Sequence, residues 1–247
     1  KGAGTTPYSR GADGRAVLRS SIREYLCSIA MEGLNIPTTE ALAIVASDTD
    51  VYREHVESGA IVTRVAKSHI RIGHFELFAS RGQTAEVKKL ADFVIDHYYP
   101  QLKGKDSYLQ LFKTVIHSTA VMIARWQAQG FAHGVMNSDN MSILGLTIDY
   151  GPFSFMETYN PSFICNHSDH QGRYSFERQP SVALWNLDRL ANAIRSLIDE
   201  THLKDALAEY EGFLVKEYSA LMRQKFGLVE VNEDDSKLVN DYLQLLY

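Results

Sequence analysis

Apolar positions recur at helical spacing over five long stretches and in short strand-like runs near the start, which predicts a mixed architecture. From Arg15 to Leu34, Val17, Leu18, Ile22, Tyr25, Leu26 and Ile29 mark one helical face while Arg15, Arg19 and Arg23 mark another. Gly33 and Pro37 end that helix. Three short runs follow, Ala43 to Ser47, Val51 to His55 and Ile61 to Ala66, which read as strands joined by turns at 47–50 and at Ser58-Gly59. Long helices are predicted over Thr84 to Tyr99, Ser107 to Gln129, Val182 to Asp199 and Lys204 to Phe226. The second of these carries Leu109, Phe112, Val115, Ile116, Thr119, Ile123 and Trp126 so broadly that it must be central. Between 132 and 180 only Met141-Ile143 and Leu146-Ile148 look strand-like, and long irregular stretches inside helical regions are usually functional.

Composition narrows the classes. The 247 residues are 45% hydrophobic and 22% charged, with 16 Gly and 6 Pro, which excludes disorder and collagen-like repeats. No apolar run is long enough for a membrane helix, and a net charge of −5 argues against a dedicated nucleic-acid binder. The 2 cysteines, Cys27 and Cys165, make no disulfide framework and fit a reducing compartment. The sequence opens on Lys1 with no Met and closes inside the amphipathic run Leu238 to Tyr247, so it reads as part of a longer chain.

Three groups of residues carry candidate chemistry. If Met141-Ile143 and Leu146-Ile148 pair as a hairpin, Asn140 and Asp149 face each other, an amide oxygen and a carboxylate suited to Mg²⁺ or Mn²⁺. Asp139 beside them suits a proton acceptor, although Asp and Asn also cap ordinary turns. Arg64, Lys67 and Arg71 with His69 form a cationic run that fits either phosphates or a charge-protected edge strand. Lys1 and Glu24 have the order of the kinase lysine–glutamate pair, strand end then helix. Cys165-Asn-His167-Ser-Asp169-His170 matches no trusted zinc spacing and reads as a hydrogen-bonding or substrate-contact loop; Trp126 and Trp185 read as core.

Four motifs in order then resemble one family. They are Lys1-Gly-Ala-Gly-Thr-Thr-Pro through Asp13-Gly14-Arg, Arg64-Val-Ala-Lys-Ser-His-Ile-Arg71, His133-Gly-Val-Met-Asn-Ser-Asp-Asn through Asp149-Tyr-Gly, and Phe163-Ile-Cys-Asn-His-Ser-Asp-His. Together, from Lys1 to at least Asn192, they resemble the SelO/YdiU family, selenoprotein O and its bacterial relatives. The resemblance implies an α+β, protein-kinase-like two-lobed fold. Its small N-terminal lobe would be partial and cover 1–75, and its larger, mainly helical C-terminal lobe would cover 76–247.

The implied activity is protein adenylylation, in which AMP passes from ATP to Ser, Thr or Tyr hydroxyls with ATP flipped relative to kinases. Uridylylation with UTP and Mn²⁺, a conventional kinase and an inactive ATP-binding pseudokinase are the alternatives. By motif, Lys1 is the phosphate-binding lysine and Glu24 its partner, Asp13 and Gly14 contact nucleotide, and Arg64 and Arg71 bind phosphates. Asp139 is the proton acceptor, and Asn140 and Asp149 hold Mg²⁺ or Mn²⁺. The implied partners are ATP and protein substrates, without nucleic acid or membrane, in the cytoplasm of a bacterium or the mitochondrion of a eukaryote. One departure is informative: His133-Gly-Val135 puts an aliphatic residue where kinase-like phosphotransferases carry an aspartate, which disfavours ordinary phosphorylation. The glycine-rich strand expected before Lys1 and the family's C-terminal region lie outside this sequence.

Overall fold

The computed structural model describes residues 1–247 except Tyr8 and Arg10. The protein is mixed α/β, about half helical with small antiparallel sheets. The chain divides into two units, Lys1–His69 with Thr147–Gly151, and Ile70–Leu146 with Pro152–Tyr247.

In the first unit, β1 (Ala16–Val17), β2 (Glu40–Tyr52) and β3 (Val56–Val65) form an antiparallel sheet in the order β1-β3-β2, with α1 (Leu18–Gly33) packed on it. Two strands thus replace the three expected. The polar run at 47–50 lies where the register shifts between Ser47 and Asp50, the sign of a β-bulge, and Ser58-Gly59 lies inside β3. The turn itself is at 53–55, where the Arg53 amide donates to the His55 carbonyl at 3.0 Å. Lys1 extends along β3, its backbone nitrogen donating to the Val62 carbonyl at 2.8 Å and its carbonyl accepting from Val62 at 3.0 Å.

Helix α1 turns a different face inward from the one its large apolar residues suggest. Ser21, Glu24, Cys27, Ser28 and Met31 are buried, at spacings of three, three, one and three, whereas Ile22, Leu26 and Ile29 are exposed. The helix is oriented by Glu24, which reaches a cation cluster described below. Burial pushes the Cys27 thiol up to about 12, so this cysteine is held as an unreactive thiol.

The second unit is helical: α2 (Ile72–Ser80), α3 (Thr84–Tyr98), α4 (Ser107–Ala128), α5 (Gln179–Ile194), α6 (Glu200–Ala208), α7 (Tyr210–Phe226) and α8 (Asp235–Leu246). A two-stranded ribbon pairs β4 (Phe131–Ala132) with β5 (Ser154–Phe155). As its pattern predicts, α4 is central: Phe112, Val115, Ile116, Thr119, Ile123 and Trp126 are fully buried, and α5, α6 and α7 pack around it. The sequence reading runs α6 and α7 together and misses α2.

The expected hairpin over 141–148 does not form. Met141 to Ile143 pairs instead with Ile70 to Ile72, the Ile72 amide donating to Met141 at 2.9 Å and the Ile143 amide to Ile70 at 3.0 Å. Thr147 pairs within the first unit, donating to the Pro37 carbonyl at 2.8 Å and accepting from the Thr39 amide at 3.1 Å. Each half of the segment finds its backbone partners elsewhere, so a two-residue turn is not needed to satisfy them. Trp185, expected in the core, is 41% exposed.

Candidate functional site

Within the first unit, four charged residues meet. The Lys1 Nζ lies 2.9 Å from Glu24 Oε2 and 2.8 Å from Asp149 Oδ1. Burial acts to lower the pKa of this ammonium; the charges of Asp149 and Glu24, each also accepting a hydrogen bond, outweigh it and raise the pKa above its ordinary value. Arg64 lies against the same Glu24, 3.9 Å from Nη1 to Oε1, with its side chain only 10% exposed. Its Nη2 donates to the Thr39 carbonyl and hydroxyl, and its guanidinium sits 5.0 Å from the centre of the Tyr150 ring. Tyr150 is in turn hydrogen-bonded through its hydroxyl to Thr38. Among the described residues the buried Arg64 Nη1 has no hydrogen-bond partner, which is the kind of opening an anionic oxygen fills.

Asp149 adopts a left-handed backbone, φ 60°. Asp tolerates that region better than most residues, and backbone strain of this kind concentrates at functional positions. Asp13 and Gly14 sit at the base of the loop between Lys1 and β1. Asp13 accepts two bonds from the Arg53 guanidinium, at 2.8 and 3.0 Å, and one from the Arg15 amide at 2.9 Å. The side-chain bonds from Arg53, then the bond from the Arg15 backbone, hold its carboxyl down to about 2. Gly14 has φ 65°, and a Cβ there would lie 1.9 Å from the Gly4 carbonyl oxygen, so the loop closes only with glycine.

In the second unit, Arg71, Asp139 and Asn140 are brought together by the start of α2. Arg71 caps that helix; its Nη1 donates to the Asp139 carbonyl at 2.8 Å. His74 Nδ1 accepts from the Arg71 amide at 2.9 Å, which requires an unprotonated nitrogen. Burial, then the neighbouring Arg71 charge, lowers the His74 pKa and keeps it neutral. The Asp139 carboxylate rests against the first turn of α2, so closely that a Cβ on Gly73 would lie 2.4 Å from its Oδ1. An anion at a helix N-terminus is favourably placed. Asn140 is buried, and its Nδ2 donates to the Val135 carbonyl at 3.0 Å, which fixes the amide plane and leaves Oδ1 as the acceptor end. The aliphatic residue at 135 thus serves through its backbone.

The loop that carries Asp139 is held by side chains that motif reading passes over. Gln179, fully buried at the start of α5, donates to the Phe131 carbonyl and accepts from the His133 amide, both at 2.9 Å. Asn186 on α5 donates to the Met136 carbonyl at 2.8 Å, and Asn166 to the Gly134 carbonyl at 3.0 Å. His133 stacks on Trp126, ring centres 5.2 Å apart. The sequence signal was available: an amide side chain in the apolar stripe of α5 requires a buried partner. The 165–170 segment is a hydrogen-bonding loop, with Asp169 accepting from the Arg173 and Tyr174 amides at 2.9 and 2.7 Å. No group of three or more His, Cys, Asp or Glu able to hold a metal occurs among the described residues. Asn140, in the second unit, and Asp149, in the first, each offer oxygen, the donor type that suits Mg²⁺ or Mn²⁺ rather than zinc.

Comparison with known proteins identifies the family of the chain. The family described as Protein adenylyltransferase SelO matches residues 1–247. Among curated proteins, the Protein nucleotidyltransferase YdiU of Vibrio vulnificus (strain YJ016) is 58% identical over 247 residues, 100% of this chain and 50% of the relative. The proteins of the same name from Klebsiella pneumoniae and Erwinia tasmaniensis are 57% and 56% identical over 247 residues, in each case 100% of this chain and 52% of the relative. The chain therefore spans about half the length of the curated relatives it matches. With a family match over its whole length and such identities, the chain belongs to the SelO family.

Proposed function

We propose that the chain carries the nucleotide-binding and catalytic residues of a bacterial, cytoplasmic protein adenylyltransferase on a two-lobed, protein-kinase-like framework, with lobes at 1–75 and 76–247. The observation that carries this reading is the Lys1 ammonium seated between Glu24 and Asp149, an ion-pair arrangement that orients a lysine toward nucleotide phosphates. Val135 in place of an acid, and Asp139 set against α2 by Gly73, favour a chemistry other than γ-phosphoryl transfer.

In the proposed reaction an acceptor Ser, Thr or Tyr oxygen attacks the α-phosphorus of ATP. The new O–P bond forms, the bond from the α-phosphorus to its bridging oxygen breaks, pyrophosphate leaves, and the hydroxyl proton passes to the Asp139 carboxylate. Lys1, Arg64 and Arg71 neutralise the triphosphate, with ATP reversed relative to its kinase orientation so that its β- and γ-phosphates meet the arginines. Asp13 and Gly14 shape the loop that contacts the nucleotide. Asn140 and Asp149 are the proposed ligands of Mg²⁺ or Mn²⁺, which, when bound, adds positive charge against the phosphates and the leaving group.

The charge inventory supports a cation. Lys1 and Arg64 are balanced by Glu24 and Asp149, so the cluster is neutral as it stands and a triphosphate brings charge that needs further compensation. Asp139→Asn tests the acceptor role: the variant should bind ATP and Mg²⁺ within about twofold of wild type and transfer AMP to protein about 10²-fold or more slowly. Unchanged transfer would remove Asp139 from the reaction.

A further inference from the structure

The second unit exposes a built cationic surface on the elements that clamp the Asp139 loop. Trp185 on α5 is 41% exposed, although tryptophan is usually well buried. The Arg173 guanidinium lies 4.6 Å from its ring centre and the Arg189 guanidinium 5.6 Å. Arg173 also lies 5.7 Å from the Tyr174 ring. Among the described residues the Arg173 side chain makes no ion pair, and Arg189 makes a single long contact, 3.5 Å to its exposed neighbour Asp188. Such an exposed contact contributes little. Exposed Ile164 lies against Gly172, the residue before Arg173, and exposed Leu184 precedes Trp185 in the chain.

Stacking on an indole fixes each guanidinium plane and leaves its in-plane N–H groups for a carboxylate fork. An arginine held against a ring, as Arg173 is at 4.6 Å, has lost part of its rotamer freedom before binding, so a partner carboxylate costs less to capture. Tryptophan and arginine are also the residues that dominate binding energy at protein interfaces. A chain of net charge −5 repels a long polyanion such as nucleic acid far more than a short acidic segment with few charges. We infer that the Arg173–Trp185–Arg189 surface docks an acidic segment of the acceptor protein. This rests on the proposed transfer to protein hydroxyls. Because α5 also anchors the Asp139 loop through Gln179 and Asn186, the docking surface and the acceptor base share one rigid support.

The test uses a Glu-rich peptide with a single Tyr, a Lys-rich peptide of the same length and an oligothymidine, each titrated by fluorescence anisotropy against the wild-type protein, the Arg173→Glu/Arg189→Glu double variant and Trp185→Ala. The Glu-rich peptide should bind wild type with an affinity that falls as salt rises, and charge reversal should weaken it about tenfold or more while ATP affinity and melting temperature stay at wild-type values. Trp185→Ala should weaken it while leaving the charges intact. Binding of the Glu-rich peptide within about twofold of wild type in the double variant overturns the inference, as does equal binding of the Lys-rich peptide or tighter binding of oligothymidine. A peptide that binds through the arginines yet accepts no label from the α-phosphate of ATP upholds the docking surface and counts against adenylylation instead.

Discussion

Replacing Glu24 with Gln removes a carboxylate whose side chain is 4% exposed and which faces Lys1 at 2.9 Å and Arg64 at 3.9 Å. At an effective dielectric of about 20 the gross attractions are roughly 6 and 4 kcal/mol, most of which desolvation offsets. Removing one partner of a buried pair typically costs about 3–5 kcal/mol because the remaining charge is stranded. Here Lys1 keeps Asp149 and its side chain is 39% exposed, while Arg64, 10% exposed, loses its carboxylate. We expect the low end, about 3 kcal/mol, which for a chain of this size lowers the melting temperature by about 6–12 °C. Differential scanning calorimetry of wild type, Glu24→Gln, Lys1→Met and the double variant measures both the cost and the coupling. A favourable Lys1–Glu24 coupling of about 1 kcal/mol or more is expected, and additive effects with a shift under about 2 °C would refute the reasoning.

Other consequences follow from single contacts. Gly73→Ala places a Cβ 2.4 Å from Asp139 Oδ1, so the carboxylate must move; transfer should fall by about 10²-fold while the melting temperature changes little. Asn186→Leu strands the Met136 carbonyl, which the amide now reaches at 2.8 Å; a loss of about 1–3 kcal/mol in chemical denaturation is expected, with faster hydrogen exchange around 133–140. The folded pKa of His74 is lowered below its ordinary 6.5, so its contribution is present above that value and is lost as pH falls through the folded pKa, when the ring no longer accepts from Arg71. As pH falls below that ordinary value, the protection of the Arg71 amide relative to its intrinsic exchange rate should therefore fall, and His74→Gln should flatten that dependence. Asp13, held at about 2 against an unfolded 3.8, contributes above the unfolded value and loses that contribution as pH falls through 2, so the stability gap to Asp13→Asn should close there.

Much of the helical framework was legible because α4 must bury nearly all round, and a broad apolar pattern at helical spacing admits few other solutions. Faces were harder to read where charge overrode hydrophobicity. In α1 the inward side is set by Glu24 reaching Lys1 and Arg64, so Ile22, Leu26 and Ile29 face out. The run at 47–50 has turn chemistry, yet a β-bulge uses the same residues, and the continuing β2–β3 ladder decides between them. The 141–148 segment has the local look of a hairpin, but its partners, Ile70 to Ile72 and Pro37 to Thr39, are distant in sequence and leave no local trace. At the candidate site the pairing of Lys1 with Glu24 follows from motif order, whereas Asp149 on Lys1, Tyr150 against Arg64 and the Gln179 clamp depend on tertiary placement.

The central claim is that bond cleavage occurs at the α-phosphorus. Incubation of the protein with an acceptor protein, Mg²⁺ and ATP labelled in parallel at the α- or the γ-phosphate tests it in a single gel. Acceptor labelling from α-labelled ATP alone, abolished by Asp149→Ala, is the predicted result; labelling from γ-labelled ATP would make this a phosphotransferase and contradict the account.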